Sequence, residues 1–370
     1  MKQRIYRFGI LLLICFVMIM GSGCVTVPQQ EFKAYSEAFS ESKKMTEQLL
    51  IEYDQAKKNE AERQTGKKNV ESEQPYPKAV DLKRMYPGFM LMDPVSKRHE
   101  ALQVVTGFNE IIISLAEGKN PEEVKSTTDS FIENFNKFSE LIGDDFEIPY
   151  AGQISRLVSD VITKFEEAKN RKQFIAALTK AEPFIQSILL LFLQDAEDLY
   201  DIKVKQSDRL WSGHQDKVAI LVRQMRNVAN EHKAPTNQKD QKKLNEIEGK
   251  VKNLLDRVGL KDNNEKLQTK VGDSAFNQIA LSQLQQTLDQ TNSVAYEYEK
   301  VIKTHNAFHE VIVSYGELIS KTSTSLTIVR LAFDKPIDIR QQASELVSLA
   351  FTVKRNWEAL DKARRSTIDN

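Results

Sequence analysis

Apolar residues recur every three or four positions along most of this chain, the spacing of amphipathic helices. From about Gln29 to Glu62, Phe32, Tyr35, Phe39, Leu49, Tyr53 and Ala56 share one heptad stripe, with Ser42 and Thr46 its only polar members. A helix from about Lys97 to Glu117 stops at Gly118, and Asn120-Pro121-Glu122-Glu123 starts another. Asn120 can cap it, Pro121 suits the first helical position, and Glu123 can close a capping box, so an αα-hairpin is predicted. The second helix carries Val124, Thr128, Phe131, Ile132, Phe135, Phe138 and Leu141 on one face. Ile154, Leu157, Val158, Val161, Ile162 and Phe165 mark a helix from about Gln153 to Ala168. Residues 171–231 are helical in pattern, with a bend or break expected at Pro183 and softening near Ser212-Gly213. A long helix from about Ser274 to Lys321 aligns Leu281, Leu284, Leu288, Ala295, Tyr298, Ile302, Ile312 and Ile319. A last helix, from near Pro336 to about Ala363, aligns Ala343, Leu346, Ala350, Val353, Trp357 and Leu360.

Three segments break the pattern. Residues 57–74 are almost wholly polar and suit a frayed helix end or linker. Residues 75–96 interleave four prolines with tyrosine, phenylalanine and methionine, which predicts an irregular segment packed on the body. Residues 233–273 are rich in Lys, Asn, Gln and Asp, with only weak helical character around Lys242–Val258, and are expected to form a polar arm. The run Ile188–Leu193 is apolar on every side and marks the deepest core helix. The fold class predicted is all-α, an elongated multi-helix bundle with long amphipathic, partly coiled-coil-like helices. One internal similarity stands out. Residues 108–117 (FNEIIISLAE) and 308–317 (FHEVIVSYGE) are identical at five of ten positions, as in a duplicated hairpin or in two amphipathic helices of like pattern.

Composition agrees with helix. Gly (14) and Pro (10) are few for 370 residues, and charged residues make up 28%. The N-terminal stretch changes the picture more. Lys2, Arg4 and Arg7 precede an apolar run from Phe8 to Met20, then Gly21, Ser22, Gly23 and Cys24. The run is shorter than the roughly 20 residues that span a bilayer and suits the hydrophobic part of a signal peptide. The order basic, apolar, small, cysteine resembles the export signal of a bacterial lipoprotein, with Gly21 where such signals usually carry Leu. An uncleaved inner-membrane anchor and an ordinary signal peptide are the alternatives.

The resemblance implies cleavage between Gly23 and Cys24 and lipid, palmitate included, on Cys24. Val25, rather than Asp, then implies the outer membrane. The expected organisation is a signal peptide (1–23), a lipidated tether (24–31), an N-terminal helix and polar linker (32–74), the Pro/aromatic segment (75–96) and a helical bundle (97–370). Cys15 and Cys24 are the only cysteines, so a body cut at Cys24 carries no other thiol, disulfide or thiolate metal site. The first 23 residues hold three of the 52 basic residues and none of the 52 acidic ones, leaving a net charge of −3 that points away from nucleic acid.

Candidate chemistry is sparse. His305 and His309 lie one helical turn apart and could place two imidazoles on one metal, though the metalloprotease pattern needs Glu directly after the first His. Their other role is as packed core histidines. Asp195, Glu197, Asp198 and Asp201 suit a solvated helix face. The sequence has no Gly-rich phosphate loop and no nucleophile elbow. The expectation is no cofactor and no catalysis. It points to a lipid-anchored scaffold or adaptor binding other envelope proteins, held to the membrane through Cys24, in the bacterial envelope and facing the periplasm. The alternatives are a bundle enclosing an apolar ligand such as a lipid, and a hydrolase using a metal on His305 and His309.

Overall fold

The computed structural model describes residues 29–63, 95–143, 151–232, 235, 237–260, 278–333, 335 and 337–365. The signal and tether through Pro28, including Cys24, the linker residues 64–74 and the segment 75–94 lie outside them. Among the described residues the protein is all-α, with eight helices and no strand. They are α1 (Gln29–Arg63), α2 (Val95–Ala116), α3 (Pro121–Gly143), α4 (Ala151–Glu167), α5 (Arg171–Asn230), α6 (Gln238–Arg257), α7 (Gln278–Leu331) and α8 (Arg340–Arg365).

The α2–α3 hairpin forms as its sequence dictates. Gly118 takes φ +73°, which a Cβ would oppose. Lys119 N–H then donates to the Ser114 carbonyl at 3.1 Å and Gly118 N–H to Leu115 at 3.2 Å, closing a Schellman motif. Three residues on, the Asn120 side-chain oxygen accepts from Glu123 N–H at 2.9 Å. Glu123 does not reach back to the Asn120 backbone. Its carboxylate instead accepts from the Asn120 amide at 2.8 Å. At Gly107 an added Cβ would sit 3.2 Å from the Phe131 Cα, so α2 and α3 pack closely there.

The described residues fall into two compact units. The first takes those within Met1–Leu50, Gly88–Phe192 and Glu317–Phe351; the second takes those within Ile51–Pro87, Leu193–Gly316 and Thr352–Asn370. The first unit is centred on stacked and edge-on rings. Phe131 lies 5.3 Å from Phe135 and 5.1 Å from Phe165, and Phe184 lies 4.7 Å from Phe135. Ser42 and Thr46, the polar members of the α1 stripe, are buried, and Ser42 meets Thr322 at 3.3 Å.

Of the bend or break expected at Pro183, the break does not occur: α5 runs unbroken from Arg171 to Asn230. Pro costs the helix one backbone bond and a steric clash, roughly 3 kcal/mol in isolation. The surrounding packing outweighs that. Phe184, Ile185 and Ile188 are buried, Glu182 pairs with Arg330, and Gln186 donates to the Ser323 carbonyl and the Thr327 hydroxyl, each at 3.0 Å. Gly213 is likewise inside the helix, between buried Trp211 and Val218.

The second unit corrects the polar-arm expectation. Residues 238–257 form α6, capped by Asn237, whose oxygen accepts from Asp240 N–H at 2.7 Å. Gly259 at φ +70° ends it in the same Schellman geometry as Gly118, with Leu260 N–H on the Leu255 carbonyl at 2.9 Å. Leu244, Ile247, Val251, Leu254 and Leu255 enter one core with Trp211, Val218, Val222 and Met225 of α5 and Leu281, Leu284 and Leu288 of α7. A narrow apolar stripe suffices because each buried leucine contributes about 2 kcal/mol. Residues 261–273 of the expected arm lie outside the described residues.

The heptad stripes of α1, α7 and α8 are buried apart from half-buried Ile302, which bundle helices and coiled coils share. The similar decamers differ in burial at one position only: Asn109 is buried and His309 half-buried. Helix α5 is long and apolar enough by composition to cross a membrane. Half of its most apolar 18-residue window is buried in the protein.

Candidate functional site

The second unit brings together the residues with most chemical potential. On α5, Tyr200, Lys203 and Ser207 occupy one face at helical spacing, and on α7 His305, Phe308 and His309 do the same. His305 is only 2% exposed. Its Nε2 lies 3.1 Å from the Tyr200 hydroxyl and its Nδ1 3.0 Å from the Ser207 hydroxyl. Both ring nitrogens are therefore engaged, one donating and one accepting when the ring is neutral. The Tyr200 ring also stands between the histidines, 5.3 Å from His305 and 5.6 Å edge-on from His309. His309 turns its Nδ1 to the Glu310 carboxylate at 3.4 Å.

The two histidines whose spacing could serve one metal are thus brought together around a tyrosine, with His305 packed in the core as the other reading had it. Among the described residues, no three His, Cys, Asp or Glu side chains are grouped to hold a metal ion. Burial, reinforced by Asp201, pushes the Tyr200 phenol above its ordinary range and keeps it neutral.

Beside this hub lies a charged cluster. The Lys203 ammonium is 3.1 Å from the Glu52 carboxylate, and Arg364 makes a two-pronged pair with Glu52 at 2.9 and 3.2 Å. Lys203 also lies over the Phe308 ring at 6.0 Å, and Phe308 stacks parallel on Tyr200. Burial pushes the Glu52 pKa up, but Lys203 and Arg364 outweigh it and hold the carboxyl below its usual range.

Of the acidic group on α5, Asp201 is exposed, Glu197 and Asp198 are half-buried, and Asp195 is buried at 5% exposure. The solvated-face expectation fails for Asp195, which lies on the inner side of the helix with Leu199 and Ile202. The phenylalanines of α3 that could line a ligand cavity pack ring on ring. A separate cleft of about 290 Å³ opens in the first unit, at the start of α1, between Phe32, Lys33, Ser36, Ile113, Ala116 and Glu117.

Sequence reasoning singled out His305 and His309 but missed Tyr200, Ser207 and the Glu52–Lys203–Arg364 cluster. Their partners are 98 to 312 residues apart along the chain, beyond any local pattern. No family model, curated protein or solved structure matches this chain.

Proposed function

We propose that this protein is a lipid-anchored, non-catalytic scaffold or adaptor of the bacterial cell envelope. The Gly21-Ser22-Gly23-Cys24 order supports an anchor on Cys24, and Val25 supports the outer membrane, facing the periplasm. The observation that carries the non-catalytic reading is the engagement of His305. Its ring is 2% exposed, and its two nitrogens lie 3.1 and 3.0 Å from the Tyr200 and Ser207 hydroxyls, so the imidazole is withdrawn from solvent. A general base or metal ligand needs a nitrogen turned to substrate or ion.

The test is crosslinking in intact cells followed by purification of the protein from the envelope. A specific, stoichiometric envelope partner is expected, and it is expected to be lost when the anchor is removed by Cys24→Ser. No reproducible partner under crosslinking, together with hydrolytic activity lost in His305→Ala, would overturn the reading.

A further inference from the structure

The first five turns of α7 are poor in charge. Residues 278–296 contain one charged side chain, Asp289, in a chain that is 28% charged. One face of this stretch is core: Leu281, Leu284, Leu288, Ala295 and Tyr298 are buried. The opposite face is solvent-exposed throughout. It presents Ile279, Ser282, Gln286, Asp289, Ser293 and Tyr296 at alternating spacings of three and four, a heptad stripe. Its two ends are large apolar side chains left open, Ile279 at 67% and Tyr296 at 40% exposure. A merely solvated helix face carries interspersed charge. Depletion of charge beside exposed apolar anchors is a feature that this face shares with small, polar protein interfaces.

The stripe is also complementary to itself. Laid antiparallel on a copy, positions equidistant from its centre meet. Ile279 faces Tyr296, Ser282 faces Ser293, and Gln286 faces Asp289. Each match is chemically sound: apolar on apolar, two small hydroxyls that let the helices approach, and an amide that can donate to a carboxylate. Gln285 already donates to Asp289 at 2.9 Å and steadies that carboxylate. A parallel arrangement would instead set Asp289 against Asp289.

We propose that this face of α7 pairs antiparallel with the same face of a second copy of the chain, across a two-fold axis near residues 287–288. The contact spans about 25 Å of helix, at 1.5 Å per residue. Its size places it among small, reversible interfaces.

The full chain is tested in mild detergent with Cys15→Ser and Cys24→Ser, which remove its two cysteines. Ser282→Cys and Ser293→Cys are then introduced into separate preparations. A disulfide needs Cα atoms within about 7 Å. In the proposed register position 282 faces 293 of the partner, while two copies of position 282 stand roughly 16 Å apart. Under mild oxidation the mixture is expected to give a covalent heterodimer, and each variant alone is expected to stay monomeric. No crosslink in the mixture, or equal crosslinking of the single variants, overturns the proposal. Sedimentation supplies an independent readout. Gln286→Glu, which sets two carboxylates together twice per dimer, is expected to weaken association roughly tenfold, and adding Asp289→Asn to restore it. A parent protein that is monomeric at every concentration, or Gln286→Glu without effect, also overturns it.

Discussion

Tyr200 on α5 donates or accepts at its hydroxyl with His305 Nε2 on α7 across 3.1 Å, inside the second unit. The relationship fixes two helices through a buried polar contact, and Ser207 completes it at the other ring nitrogen. Removing one partner leaves a buried nitrogen without its bond, which costs about 1–3 kcal/mol. Tyr200→Phe is expected to lower unfolding stability by that amount in urea titration. Combining it with His305→Leu is expected to cost less than the sum of the two, because the second change removes the orphaned nitrogen. Strict additivity would show that the contact contributes nothing.

The Glu52 cluster makes stability depend on pH. Lys203 and Arg364 hold the carboxyl below its ordinary range against the opposing effect of burial. A depressed value in the folded state means that the unfolded chain takes up the proton first. The stabilisation is present above about pH 4, the ordinary glutamate value, and is lost as pH falls through the folded value. The stability difference between the parent and Glu52→Gln is therefore expected to shrink on acidification through this range. A difference independent of pH from 7 to 3 would contradict the cluster.

In the first unit, Arg330 pairs with Glu182 in surroundings only 11% and 14% open to solvent. Arg330→Met removes the cation and strands a largely buried carboxylate, an effect of about 3 kcal/mol. Thermal unfolding checks it. Glu182→Gln with Arg330→Met, which removes both charges, is expected to recover most of the loss.

Helix α6 tests the reassignment of the polar arm. Leu254 is 1% exposed in the second core. Leu254→Ala is expected to cost about 2–5 kcal/mol, as large-to-small changes in packed cores do. Amide exchange across 244–255 is expected to be slow. A free arm would show fast exchange and no cost.

Much of the fold was legible in the chain because local chemistry decided it. The Gly118 and Asn120 signals set the α2–α3 hairpin, and heptad stripes located the buried faces of α1, α7 and α8. Two local signals misled. Pro183 argues for a break, but Glu182, Gln186 and Arg330 tie that turn to α7, a compensation invisible without tertiary structure. The abundance of Lys and Asn in 238–257 hides five apolar residues at helical spacing, which suffice once α5 and α7 supply a surface. At the candidate site the histidine spacing was visible, but its meaning was not. Tyr200 and Ser207, about 100 residues earlier, decide that both nitrogens of His305 are already engaged.

The anchor on Cys24 is the claim on which the envelope role rests, and the N-terminal peptide of the protein recovered from cell membranes tests it most directly. Mass spectrometry is expected to find a peptide that begins at Cys24 and carries the added mass of diacylglycerol and a further acyl chain. A peptide that begins at Met1, or that contains an unmodified Cys24 after cleavage elsewhere, would contradict the account.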